Sequence, residues 1–267
     1  MKRGAFTLVE LVVVLAIIAA LTHLAVRELA HLRDGRLAGV ADRQLGEIRL
    51  CVYDKSPDGA ARGFLADMGR LPRPVDGALS ELWLMPTGAL CYAVRQATEE
   101  NLVVGAKHLA NGSVHVPTGW RGPYLRLPLG ADRLRDPWGN PIEEEDDAGL
   151  PRIFATNGFV TAVAHYGPSA RAGGMRGLSI LPDGGTASSR LVVSLESAGH
   201  VGETVTYTWY GPADGLVTGA VASAVHPAPV VFEGLAPGRR VLVESATGAA
   251  HVVDVEPGDN LVVVKVP

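Results

Sequence analysis

The sequence predicts an α+β protein: one long N-terminal transmembrane and stalk helix packed on a small antiparallel sheet, then an all-β, sandwich-like domain. Three observations predict it. An apolar run fills Phe6–Val26, long enough at about 20 residues to cross a bilayer as a helix. An amphipathic pattern continues that run to about Val52. From Leu191 the texture changes to short Val-, Thr- and aromatic-rich segments separated by Gly, Pro and Asp turns.

The composition bounds the function. The chain has 267 residues, 47% hydrophobic and 19% charged, which is enough apolar material for packed cores. A net charge of −4 lacks the basic footprint of a nucleic-acid binder. The two cysteines, Cys51 and Cys91, are too few for a disulfide scaffold and have no zinc spacing. In an oxidising compartment they could bridge or stay as two buried thiols, and the sequence leaves both open.

Lys2 and Arg3 precede the apolar run, so the positive-inside rule leaves the N-terminus in the cytoplasm and sends the remainder outside. An ordinary secretory signal, a plain anchor and a buried core helix all fit the apolar run. None of them explains Glu10. A carboxylate at the front of a membrane segment costs a few kcal/mol and calls for a cationic partner.

Gly4-Ala5-Phe6-Thr7-Leu8-Val9-Glu10-Leu11, before a Val/Leu/Ile/Ala run, resembles the processing site of type IV prepilins and type II secretion pseudopilins. The resemblance implies that a prepilin peptidase removes residues 1–5 and methylates the new N-terminus at Phe6, making Glu10 the fifth mature residue. The family carries Gly before the cut. This chain has Ala5 there and Gly4 one step earlier; a cut after Gly4 would make Glu10 the sixth. The chemistry is intelligible in itself. Cleavage creates an amine at the bilayer edge, and a carboxylate about one helical turn along can pair with the amine of a neighbouring subunit.

Beyond the span of 6–26, Val26, Leu29, Leu32, Leu37, Val40, Leu45, Ile48 and Val52 recur at helical steps through a stalk assigned to 27–53. Gly35, Gly39 and Gly46 weaken it by up to about 1 kcal/mol each and could permit melting or bending. A globular domain is assigned to 54–183, with a short helix at Leu79–Leu84. Within it, Phe64–Pro72, Gly119-Trp120-Arg121-Gly122-Pro123-Tyr124 and Asp136-Pro137-Trp138-Gly139-Asn140-Pro141 resemble segments of the type II secretion major pseudopilin. Each of the last two reads as a tight turn that buries a large ring, Trp120 or Trp138, in preference to a carbohydrate-stacking surface.

The family's calcium loop aligns with Gly167-Pro168-Ser169-Ala170-Arg171-Ala172-Gly173-Gly174. Gly167, Gly173 and Gly174 keep its frame, but Ser169 replaces the aspartate and Arg171 and Arg176 add positive charge. Calcium wants six to eight oxygens, several from carboxylates, so the site reads as degenerate and no cofactor is expected. The acidic run Glu143–Asp147 reads as a solvated turn.

A linker is assigned to 184–190 and a β-sandwich to 191–267. Six strands are expected: Leu191–Glu196, Thr204–Tyr210, Val230–Phe232, Arg240–Glu244, His251–Val255 and Asn260–Val266. Phe232–Val243 weakly resembles a transthyretin-like repeat. Neither a nucleophile elbow, a zincin motif, a P-loop nor a dinucleotide fingerprint occurs, and the eight histidines have no metal-ligand spacing. The expectation is therefore a non-enzymatic filament subunit. It would be anchored once in a bacterial inner membrane with its bulk in the periplasm. Its partners would be other copies, other pseudopilins, prepilin peptidase, an inner-membrane assembly platform and a secreted substrate. A minor type IV pilin, or a membrane-anchored binding or adhesion protein acting through the β domain, is the alternative.

Overall fold

The computed structural model describes residues 8–57, 61–96, 114–145, 149–167, 174–181, 189–196 and 201–265. A single helix, α1, runs from Leu8 to Val52, about 67 Å at about 1.5 Å per residue. It passes without interruption through Gly35, Gly39 and Gly46, where an added Cβ would meet nothing within 4 Å. The melting or bending that these glycines could permit is not seen in the single chain. The amphipathic seam is also used less than its period predicts. Only Ala41, Leu45, Ile48 and Val52 are buried, while Val26, Leu29, Leu32 and Val40 stay exposed.

After α1 come a short hairpin of β1 (Asp54–Lys55) and β2 (Ala61–Arg62), then α2 (Phe64–Met68), all five of whose residues are buried. The helix expected over Leu79–Leu84 is a three-residue 3-10 turn, Ser80–Leu82. A second hairpin pairs β3 (Ala93–Gln96) with β4 (His115–Thr118). An antiparallel sheet then forms in the order β5 (Ile153–Thr156), β6 (Phe159–His165), β7 (Arg176–Ser179). Leu45, Ile48 and Val52 of α1 close one core with Phe64, Leu65, Met68, Leu79, Leu82, Val160, Val163 and Ile180.

Two sheets make up the C-terminal part: β10-β9-β12-β13 and β11-β8-β14. Their strands are β8 (Ser189–Glu196), β9 (Thr204–Ala213), β10 (Leu216–Val225), β11 (Val230–Leu235), β12 (Gly238–Glu244), β13 (Ala250–Val255) and β14 (Asp259–Lys265). All pairings are antiparallel except β14 on β8. Leu191, Val193, Tyr207, Phe232, Leu242 and Val255 fill the space between the sheets.

Two expectations need correction here. Six strands were expected, and β10 is the missing one. Its Gly219-Ala220-Val221-Ala222-Ser223-Ala224 stretch is poor in strand-favouring residues, but it pairs with β9 over its whole length. Asp214 and Gly215, with φ of 54° and 80°, form the two-residue turn between them. The linker assigned to 184–190 also ends early, because Ser189 and Arg190 already belong to β8; residues 184–188 lie outside the described ones.

The β-sandwich is not tethered at a distance from the head. Val114 and Val116, at and beside β4, share a buried cluster with Tyr210, Val217, Val241 and Val243 of the sandwich. Thr118 Oγ1 donates to the Leu216 carbonyl at 3.1 Å, and Lys55 pairs with Glu256 at 2.6 Å. This contact is apolar at its centre and polar at its rim, the anatomy of a fixed interface.

Candidate functional site

Every residue from Leu8 to Arg33 is exposed, among them Leu11, Val13, Leu15, Ile17, Ile18 and Leu21. Among the described residues, no other element covers this stretch. Soluble domains do not leave a continuous apolar helix in water, so a bilayer, or helices of other subunits, must cover it. Glu10 lies in the first turn of α1, where a carboxylate also complements the helix dipole. Gly4, Ala5 and Phe6 fall outside the described residues.

Residues 1–26 match the prokaryotic N-terminal methylation motif. The motif ends just before Arg27 and Glu28, inside the exposed stretch of α1. The motif is the mark of pilin-like structural proteins and implies a single-pass membrane anchor, processing by prepilin peptidase and assembly with other pilin subunits. Neither a curated protein nor a solved structure matches the chain.

In the head the two aromatic motifs are turns braced by buried acidic groups, and Trp120 packs against the core. Trp120 and Trp138 are half-buried, and the fully buried groups are acidic. Asp67 accepts from Arg121 Nη2 and from the Tyr124 hydroxyl, each at 3.0 Å, while Trp120 Nε1 donates to the Glu81 carbonyl at 3.1 Å. Asp136 accepts from the Trp138 and Asn140 amides and from Arg152 Nη1 at 2.9 Å, inside the Asp136-Pro137-Trp138-Gly139-Asn140-Pro141 turn. Trp138 lies against His165, ring centres 5.6 Å apart. A buried carboxyl under each turn fixes it through these bonds.

Burial pushes the Asp67 carboxyl up to about 6, against the opposing pull of Arg121 and Tyr124. A carboxyl whose folded value exceeds its unfolded one stabilises the fold below the unfolded value and loses that contribution as pH rises through the folded one. Unfolding free energies of Asp67→Asn and the native chain should therefore diverge between pH 4 and 7. The native chain should lose stability relative to the variant as pH rises. Parallel pH profiles in chemical denaturation would refute this assignment.

The cysteines are not bridged. Cys51 Sγ donates to the Tyr124 carbonyl at 2.9 Å, whereas the exposed Cys91 thiol faces the Met85 sulfur at 4.0 Å. Burial pushes the Cys51 thiol up to about 11, which makes it unreactive. In the stretch expected to be a degenerate calcium loop, Gly167 turns at φ 73° and Gly174 precedes β7, while Ser169 and Gly173 lie outside the described residues. Arg176 pairs with Asp42 of α1 at 2.9 Å, and His165 Nε2 lies 2.9 Å from the other Asp42 oxygen. Among the described residues no group of three or more His, Cys, Asp or Glu side chains could hold a metal.

Sequence reasoning missed the polar joint between head and sandwich. Arg70 donates two bonds to Glu81, at 2.6 and 2.8 Å, and its Nε donates to Asp214. Arg73 reaches the other Asp214 oxygen at 3.0 Å. Burial alone would raise the Asp214 carboxyl, but the two arginines hold it below its usual value. The one local signal is Asp214-Gly215, a pair that favours a two-residue hairpin turn after the Thr204–Tyr210 run.

Proposed function

We propose that the chain is a structural subunit of a periplasmic pseudopilus in type II protein secretion. The observation that carries this reading is the methylation motif running directly into an apolar helix that the other described residues leave bare. Prepilin peptidase cuts before Phe6 and methylates the new amine. The span 6–26 then holds the subunit in the inner membrane, N-terminus cytoplasmic and bulk periplasmic, until assembly. On assembly, α1 moves from lipid into a bundle of identical or related helices at the filament centre, exchanging one apolar surrounding for another. Glu10 pairs with the N-terminal amine of a neighbouring subunit and sets the axial register. The two aromatic turn motifs favour secretion over a minor pilin, and no calcium enters the reading. The sandwich rides as a fixed part of the head, presented on the filament surface to other subunits or to exported substrate.

The test is the intact mass of the protein from native membranes. The expected mass lacks residues 1–5 and carries one added methyl group. A mass retaining Met1, or one cut beyond the apolar segment, would replace the filament reading with an anchored or secreted periplasmic protein.

A further inference from the structure

Between the β5-β6-β7 sheet of the head and the β10-β9-β12-β13 sheet of the sandwich lies a cleft of about 630 Å³. Its volume falls in the range of small-molecule sites, roughly 300–1,000 Å³. Phe159 and Leu181 line the head side, Trp209 and Pro212 the sandwich side, and Ser179 and Thr218 add hydroxyls. Two cations lie at this wall. Arg70 is neutralised by Glu81 and Asp214. Arg240 is not.

Arg240 is 1% exposed, and among the described residues no carboxylate pairs with it. Its guanidinium donates only to main-chain carbonyls, those of Arg239, Ala236 and Pro237, and its Nε has no partner. Trp209 lies 5.8 Å from it. Space for the side chain is reserved by Gly211, where a Cβ would come within 2.3 Å of Arg240 Cδ. Burying an unpaired charge costs several kcal/mol, and burial pushes this guanidinium down to about 9. A site that keeps such a cation carries a positive potential that an anion would relieve, and low-dielectric walls focus that potential into the cleft.

We propose that this cleft is a ligand site for a small, largely apolar compound bearing a single carboxylate, with its apolar body between Phe159 and Trp209 and its charge drawn towards Arg240. The site belongs to both parts of the chain, so a bound ligand would tie sandwich to head. It stands independently of whether the subunit serves secretion or another filament.

The probe is 2-naphthylacetate, titrated calorimetrically into the full chain in lipid nanodiscs, with empty discs as the blank and 2-naphthylacetamide as the uncharged counterpart. Saturable one-to-one binding is expected, at least about tenfold tighter for the acid than for the amide. Ser179→Trp fills the cleft and leaves Arg240 in place; it should abolish binding of both compounds while keeping the native circular dichroism. Arg240→Met, which keeps the volume of the side chain's stem, should bring acid and amide to equal affinity. Should that variant fail to fold, the acid-to-amide ratio and Ser179→Trp still decide. Absence of saturable binding, equal affinities in the native chain, or undiminished binding to folded Ser179→Trp would each overturn the proposal.

Discussion

Glu10→Leu is expected to insert into the membrane at least as well as the native chain and to enter filaments at least about tenfold less. The two effects have opposite signs because the same carboxylate acts in two surroundings. In lipid it costs about 3 kcal/mol at a helix centre, somewhat less near the interface where Glu10 begins α1, so leucine eases insertion. In the proposed filament it meets a methylated amine in a surrounding of low dielectric, and losing that pair leaves the neighbour's cation buried and alone. A loss of about 1.4 kcal/mol already gives the tenfold drop. Membrane fractionation reads insertion, and the subunit content of sheared filaments reads assembly. Glu10→Gln keeps the shape and removes the charge, so it should resemble the leucine variant. Filaments of native content from either variant would end the role proposed for Glu10, while loss of insertion would assign the residue to membrane entry.

What the sequence made legible is what repeats along it. The helix end at Val52 follows from a period that places Leu45, Ile48 and Val52 on one face. The strands of the sandwich announce themselves where Val, Thr and aromatics cluster, and β10 escaped because Ala, Gly and Ser carry no such signal. Its pairing is decided by the neighbouring strand and by the Asp214-Gly215 turn, which is tertiary and local information together. Buried charge pairs leave no periodic trace at all. Arg152 lies 16 residues from Asp136, and Arg70 lies 144 from Asp214, so no window of sequence contains the second pair. The bare face of α1 shows the opposite case. Its apolar residues would also fit a core helix; Glu10 argues against one in the sequence, and in the structure nothing among the described residues packs against them.

Gly69→Ala is expected to destabilise the chain by roughly 3 kcal/mol or more, the upper range for a single substitution. Two costs combine. Gly69 ends α2 at φ 73°, ψ 13°, donating to the Leu65 carbonyl at 2.9 Å, and an L-residue there costs about 1 kcal/mol. The second cost is specific to the joint. A Cβ at Gly69 would lie 1.9 Å from the Pro212 carbonyl oxygen and 2.4 Å from its carbon. Both are main-chain atoms of β9, so no rotamer change relieves the overlap and the sandwich must shift from the head. That shift would pull on the bonds beside it, Arg70 to Asp214 and the Gly215 amide to the Met68 carbonyl. Gly88→Ala supplies the comparison, since Gly88 has φ 81° with nothing within 4 Å of the added carbon. It should cost only the backbone term, about 1 kcal/mol. Chemical denaturation of both variants in the full chain separates the terms: the excess in Gly69→Ala measures how firmly head and sandwich are held together. Equal losses in the two variants would mean that β9 yields to the extra carbon without resistance, and the sandwich would then be a mobile appendage of the filament subunit rather than part of its head.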